Sequence, residues 1–131
     1  MKTAALDIGD VWTGIALSDA LGITAKPYKT VTTNTLESEL KNIISQELIS
    51  TIVVGLPKTM RGTESQQTEK VRTTFAELER TFPDVTWKLW DERLSSKRAQ
   101  NLKKPLTKED KLQIHAIAAA FILSSYLSFI S

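Results

Sequence analysis

Two stretches of this chain place acids where an apolar run gives out. Ala4-Ala5-Leu6-Asp7-Ile8-Gly9 delivers one carboxylate, Asp7, to a glycine-bounded turn. Val85, Trp87 and Leu89 alternate with Thr86, Lys88 and Trp90, and that run ends on Asp91-Glu92. An ionised carboxylate at the edge of a buried strand is costly unless a positive charge compensates it. Carboxylates from separate strands also repel one another, and a divalent cation is the ordinary way to hold them in one site. Mg2+ or Mn2+ held by Asp7, Asp91 and Glu92 is the chemical expectation. Two such ions about 4 Å apart activate water and stabilise a leaving oxygen, the chemistry of phosphodiester hydrolysis. The plainer alternatives are that Asp7 bonds neighbouring amides in its turn and that one of Asp91 and Glu92 pairs with Arg93.

Basic residues lie close to these acids in sequence. From Arg93 to Lys111 there are seven lysines and arginines against Glu109 and Asp110, so this segment carries +5 in a chain whose net charge is +2. A block of that kind suits contact with a polyanion, with Arg93, Lys97 and Arg98 nearest the acids. Lys58 and Arg61, in the loop from Gly55 to Thr63, are candidate phosphate contacts. Solvated helix surface is the competing reading for any one of these cations.

The elements that position the acids are legible from periodicity. Residues 3–8 and 14–18 predict a hairpin through a Gly-containing turn, with a third strand around residues 28–32. Leu36, Leu40, Ile43, Ile44 and Leu48 predict a helix capped by Asn34 or Thr35. Thr51-Ile52-Val53-Val54 is a continuous β-branched run, the pattern of a parallel strand covered on both faces. A helix over 65–80 follows, then the strand ending at Asp91-Glu92, then a short helix over 95–102. Pro105 interrupts, and Thr107 with Asp110 opens a last helix that is apolar nearly all round from Ile114 to Leu127. This is an α/β order, antiparallel at first and parallel later, with helices on both faces: the order of a ribonuclease H-like domain. Ligands of such sheets collect beyond the carboxyl ends of the parallel strands, where both acidic stretches fall.

Length and composition set the frame. The 131 residues fit one domain spanning 1–131, with 41% hydrophobic and 24% charged residues, ordinary for a globular protein. There is no cysteine, which excludes disulfides and thiolate zinc sites and agrees with a cytoplasmic location. Asp7 breaks the N-terminal apolar stretch too early for a signal peptide. Residues 114–130 are short for a membrane span and include His115 and three serines, so a core helix and no membrane partner are expected.

Four ordered landmarks resemble one family. Asp7-Ile8-Gly9 with Gly14 and Ala16-Leu17-Ser18-Asp19, then Val54-Gly55-Leu56-Pro57, then Gly62-Thr63-Glu64, and finally Asp91-Glu92-Arg93-Leu94-Ser95 are similar to the YqgF/RuvX proteins, pre-16S rRNA nucleases also described as Holliday junction resolvase-like. The resemblance covers nearly the whole chain. It implies a metal-dependent endonuclease acting on RNA, in precursor ribosomal RNA or ribosomal particles, with DNA junctions as an alternative substrate. It also implies a third active-site residue at the start of the last helix. There the family typically carries Asp, and this chain has His115 in Gln113-Ile114-His115-Ala116. The catalytic residues implied are Asp7, Glu92 and His115, with His115 a further metal ligand. A fold-sharing nucleic-acid-binding protein that has lost catalysis through His115 is the competing implication. The hairpin turn departs as well, with Asp10, Val11 and Trp12 where the family tends to carry small and basic residues. Nothing in the sequence shows a dimer face.

Overall fold

The structure is a computed structural model that describes residues 1–58, 61–94 and 108–131. Strands β1 (Lys2–Ile8) and β2 (Trp12–Ser18) form the leading hairpin, closed by the Gly9 N–H donating to the Trp12 carbonyl at 2.9 Å. β3 (Ala25–Thr32) adds antiparallel to β2, and α1 (Leu36–Gln46) follows through a 3-10 turn. β4 (Ile49–Leu56), α2 (Gln66–Thr81), β5 (Thr86–Asp91), a second 3-10 turn (Glu92–Leu94) and α3 (Lys108–Ile130) complete the described chain. The sheet order is β3-β2-β1-β4-β5, with β1–β4 and β4–β5 parallel. β1 is therefore central, and its carboxyl end lies beside that of β4.

Strand alternation divides the core into two layers. Leu6, Ile8, Ile15, Ile52 and Val54 pack with Leu36, Leu40 and Ile43 of α1 and Val71 and Leu78 of α2. Ala5, Ala16 and Val53 face the other way, against Ala119, Ile122, Leu123 and Leu127 of α3. Small residues on that second face let α3 come close. At Gly14 the approach reaches its limit: a Cβ there would lie 1.8 Å from the His115 carbonyl oxygen, so the helix backbone crosses β2 at a position only glycine can occupy.

Two elements, α1 and α3, depart from the sequence reading. α1 ends at Gln46 rather than Leu48, because Leu48 adopts φ 55° as the chain reverses into β4. Trp90 packs under α3 and donates its indole N–H to Ser125 Oγ at 3.1 Å. α3 is not buried all round. Its buried positions are one stripe, Ala116, Ala119, Ile122, Leu123 and Leu127, while Phe129 and Ile130 are exposed. The helix is long and apolar enough to cross a membrane by length and composition, and here that stripe covers the sheet. The helix expected over 95–102 and the Thr107 start signal lie outside the described residues.

The Gly14 crossing predicts a specific cost. Gly14→Ala should destabilise the protein by about 1–3 kcal/mol or more, since the added methyl meets backbone rather than a movable side chain. Equilibrium urea unfolding measures it, and an unchanged midpoint would show that α3 does not cross at this contact.

Candidate active site

The site is built at the carboxyl ends of β1, β4 and β5. Asp7 lies two residues beyond Ala5, so it shares the α3 face of the sheet and pairs across the hairpin with Gly14. Gly55 lies two residues beyond Val53 and pairs with Trp90 of β5. The next residue of that parity along the β5 path is Glu92, and its side chain rests over Gly55: a Cβ on Gly55 would stand 2.8 Å from Glu92 Oε1 and 2.5 Å from Ile122 Cδ1. The missing side chain at Gly55 makes the space through which Glu92 reaches Asp7.

These two carboxyl groups are hydrogen-bonded to each other. Burial pushes the Glu92 carboxyl up to about 9, and the hydrogen bond to Asp7 with the negative charges of Asp7 and Asp91 acts in the same direction. At neutral pH Glu92 therefore keeps a proton and donates it to Asp7. Asp91 behaves in the opposite way. It has the other parity, level with Leu56 of β4, and its oxygens are taken by Arg93. Nε donates to Oδ1 at 3.1 Å and Oδ2 at 3.0 Å, Nη2 donates to Oδ2 at 2.6 Å, and the Arg93 backbone N–H donates to Oδ1 at 2.9 Å. Those bonds and the nearby Lys58 charge hold the Asp91 carboxyl below its ordinary range. Asp91 thus clamps the turn that carries Glu92 inward, and Arg93, read from the sequence as a nucleic-acid contact, is the other half of that clamp.

The remaining candidates separate. Lys58 is half-buried and Arg61 exposed in the loop after β4. The near part of that loop is tied to α2, because Thr68 Oγ1 accepts from the Ser65 N–H and donates to the Pro57 carbonyl. His115 lies in α3 with its carbonyl over Gly14, the cross-strand partner of Asp7, and its side chain is half-buried. Among the described residues, no three His, Asp or Glu side chains converge as a metal-ligating group, so His115, Asp7 and Glu92 do not form one. Lys97 and Arg98 lie outside the described residues. Ser18-Asp19 sits at the far end of β2, where Ser18 Oγ accepts the Thr3 N–H at 2.8 Å and Asp19 Oδ1 accepts the Ile23 and Thr24 N–H groups. That motif shapes a loop rather than the site.

The donor chemistry of the pair fits a hard divalent cation. Two adjacent carboxylates, one of which must be protonated to tolerate the other, are a set that Mg2+ takes while keeping several waters. The turn beside them is fixed: Thr33 Oγ1 donates to the Gly9 carbonyl at 2.7 Å, and the Thr33 N–H donates to the Val11 carbonyl at 2.8 Å. Sequence reasoning placed Asp91 and Glu92 together and missed Gly55 as the residue that admits Glu92. Strand parity separates the two acids, but only once the β4–β5 register is known.

A mixed five-stranded sheet with helices on both faces and acids meeting at adjoining strand ends defines a ribonuclease H-like α/β protein. Thermus thermophilus RuvC in complex with a Holliday junction substrate shares the fold, with TM-score 0.63, 14% identity, and coverage of 99% of this chain and 95% of that one. A second Thermus thermophilus RuvC structure gives TM-score 0.59 at 13% identity, over 99% and 96% of the two chains. Residues 1–129 match the family described as "RuvX: Holliday junction resolvase", and the chain belongs to that family. Among its relatives, a Desulforamulus reducens protein named "Putative pre-16S rRNA nuclease" is 40% identical over 97% of this chain and 96% of its own length. A protein of the same name from Rubrobacter xylanophilus is 35% identical over 96% and 91%.

The shared proton gives the cation-free protein a distinctive pH dependence. Below about 4.5, the ordinary value of Glu92, folded and unfolded chains both hold the proton and its stabilising contribution is fully present. As pH rises from there towards about 9, the unfolded chain loses the proton and the folded one keeps it, so stability falls. The slope should reach at most about 1.4 kcal/mol per pH unit. In chelator, urea unfolding of wild type should show this decline and Glu92→Gln a flatter profile; parallel profiles would rule out a proton held at Glu92.

Proposed function

We propose that this chain is a metal-dependent endonuclease that hydrolyses phosphodiester bonds in RNA, acting in the cytoplasm on precursor 16S ribosomal RNA. The observation that carries the reading is the Asp7–Glu92 pair, two acids brought together in a half-buried site at the strand ends, where Glu92 retains a proton. A structural acid pair has no need of such a cost, whereas a cation site does. The substrate class comes from the relatives' names and the family membership.

Asp7 and Glu92 would hold Mg2+ or Mn2+, which when bound supplies a water of lowered pKa and charge stabilisation for the leaving oxygen. To serve as an ionised ligand Glu92 would release to solvent the proton it retains beside Asp7. The Asp91–Arg93 clamp holds the turn that keeps Glu92 directed inward. His115, on the helix crossing beside Asp7, provides an imidazole to accept a proton from the attacking water. Lys58 adds positive charge at the mouth of the site, where a phosphate approaches. Arg61 is an exposed cation in the loop after β4, and Lys97 and Arg98 are candidate backbone contacts by their charge in the sequence alone.

Asp7→Asn keeps the shape of the side chain and removes its charge. Cleavage of a precursor ribosomal RNA fragment with Mg2+ or Mn2+ should fall by more than the ~10–100-fold that loss of a residue supporting a ligand costs, while the melting temperature in chelator holds or rises. Cleavage by Asp7→Asn at the wild-type rate would remove the site. Parallel reactions on duplex DNA and a four-way junction test the substrate class, and a preference for the junction would replace RNA as the substrate.

A further inference from the structure

We propose that the Trp12 indole is a stacking platform for an unpaired nucleobase beside the scissile phosphate, an inference that rests on the nuclease reading above. Trp12 is the first residue of β2, two before Gly14, so strand alternation puts it on the same face as Asp7. Asp7 lies directly across from Gly14, which makes Trp12 its diagonal neighbour. Such neighbours stand ~7–8 Å apart, within reach of an aromatic ring. A strand whose phosphate meets Asp7 therefore brings an adjoining base over Trp12.

The three tryptophans of the chain are used differently. Trp87 is buried, stacks edge-on with Phe75 at 6.0 Å and donates its N–H to the Phe82 carbonyl. Trp90 packs against Tyr126 and Phe129 and bonds Ser125. Trp12 is half-buried and makes no ring contact or side-chain hydrogen bond among the described residues. Its neighbour Val11 is 62% exposed, so the hairpin tip presents apolar surface next to the acids.

That tip is held from beneath. The Gly9 N–H bonds the Trp12 carbonyl, the Thr33 N–H bonds the Val11 carbonyl, and Thr33 Oγ1 bonds both the Gly9 carbonyl and Thr13 Oγ1. Gln67 Nε2 reaches the Ile8 carbonyl from α2 at 3.4 Å. An aromatic ring on a fixed backbone loses little entropy when a base stacks on it. Every base offers a π-face, and a base inside a duplex is already stacked, so the platform favours single-stranded substrate without reading its sequence.

The test compares wild type, Trp12→Ala and Trp12→Phe in binding a single-stranded RNA oligonucleotide and a set in which an abasic site is walked along it. Stacking predicts that Trp12→Ala weakens binding of the intact strand by about 5- to 150-fold and that Trp12→Phe retains most of it. It also predicts one abasic position at which wild type and Trp12→Ala bind alike. Tryptophan emission should be quenched by the intact strand in wild type, in chelator, and not in Trp12→Ala. Equal binding by wild type and Trp12→Ala, or an equal loss at every abasic position, overturns the platform. The two readings fail separately: quenching without cleavage under either cation removes the nuclease and keeps the platform, whereas cleavage with binding unaffected by Trp12→Ala does the reverse.

Discussion

A carboxyl group that shares a proton with a second carboxylate, in a partly buried place, is the constraint on which the rest of this structure depends. Two ionised acids so close would repel by several kcal/mol at the effective dielectric of a protein. The fold nevertheless brings Asp7 and Glu92 together by three independent devices. β1 is central and runs parallel to β4, so Asp7 emerges beside the exits of β4 and β5. Gly55 leaves the space that Glu92 fills. The Asp91–Arg93 clamp fixes the turn after β5.

α3 completes this arrangement from above. Its small-residue contact with Ala5 and Ala16 and its backbone crossing at Gly14 bring the helix down onto the strands that carry the site. The same close approach sets His115 at the crossing. Packing and chemistry are thus coupled through glycines: Gly14 positions the helix and Gly55 the acid. The tie from Thr68 to Pro57 and the Thr33 bonds to the hairpin turn fix the two loops on either side of the acids. A site held this rigidly suits catalysis that depends on placing a cation and a phosphate in register.

Much of the fold was readable from periodicity alone. The alternating Val85-to-Trp90 run, the β-branched Ile52-Val53-Val54 run and the 36/40/43 spacing in α1 each report a local period that tertiary structure did not override. The end of α1 was misplaced because Leu48 adopts a left-handed backbone that its residue type does not announce. Asp7 was legible as an acid at a strand end. The division of labour between Asp91 and Glu92 was not, since it follows from the β4–β5 register and from where Arg93 folds back.

The proposed cation site of Asp7 and Glu92 holds a proton in its resting state. Calorimetric titration with Mg2+ at neutral pH, in buffers of different ionisation enthalpy, reads both parts at once. Binding should release close to one proton, with the proton lost from the balance in Glu92→Gln and binding abolished in Asp7→Asn. Binding of Mg2+ with no proton released, or binding undiminished in Asp7→Asn, would contradict it.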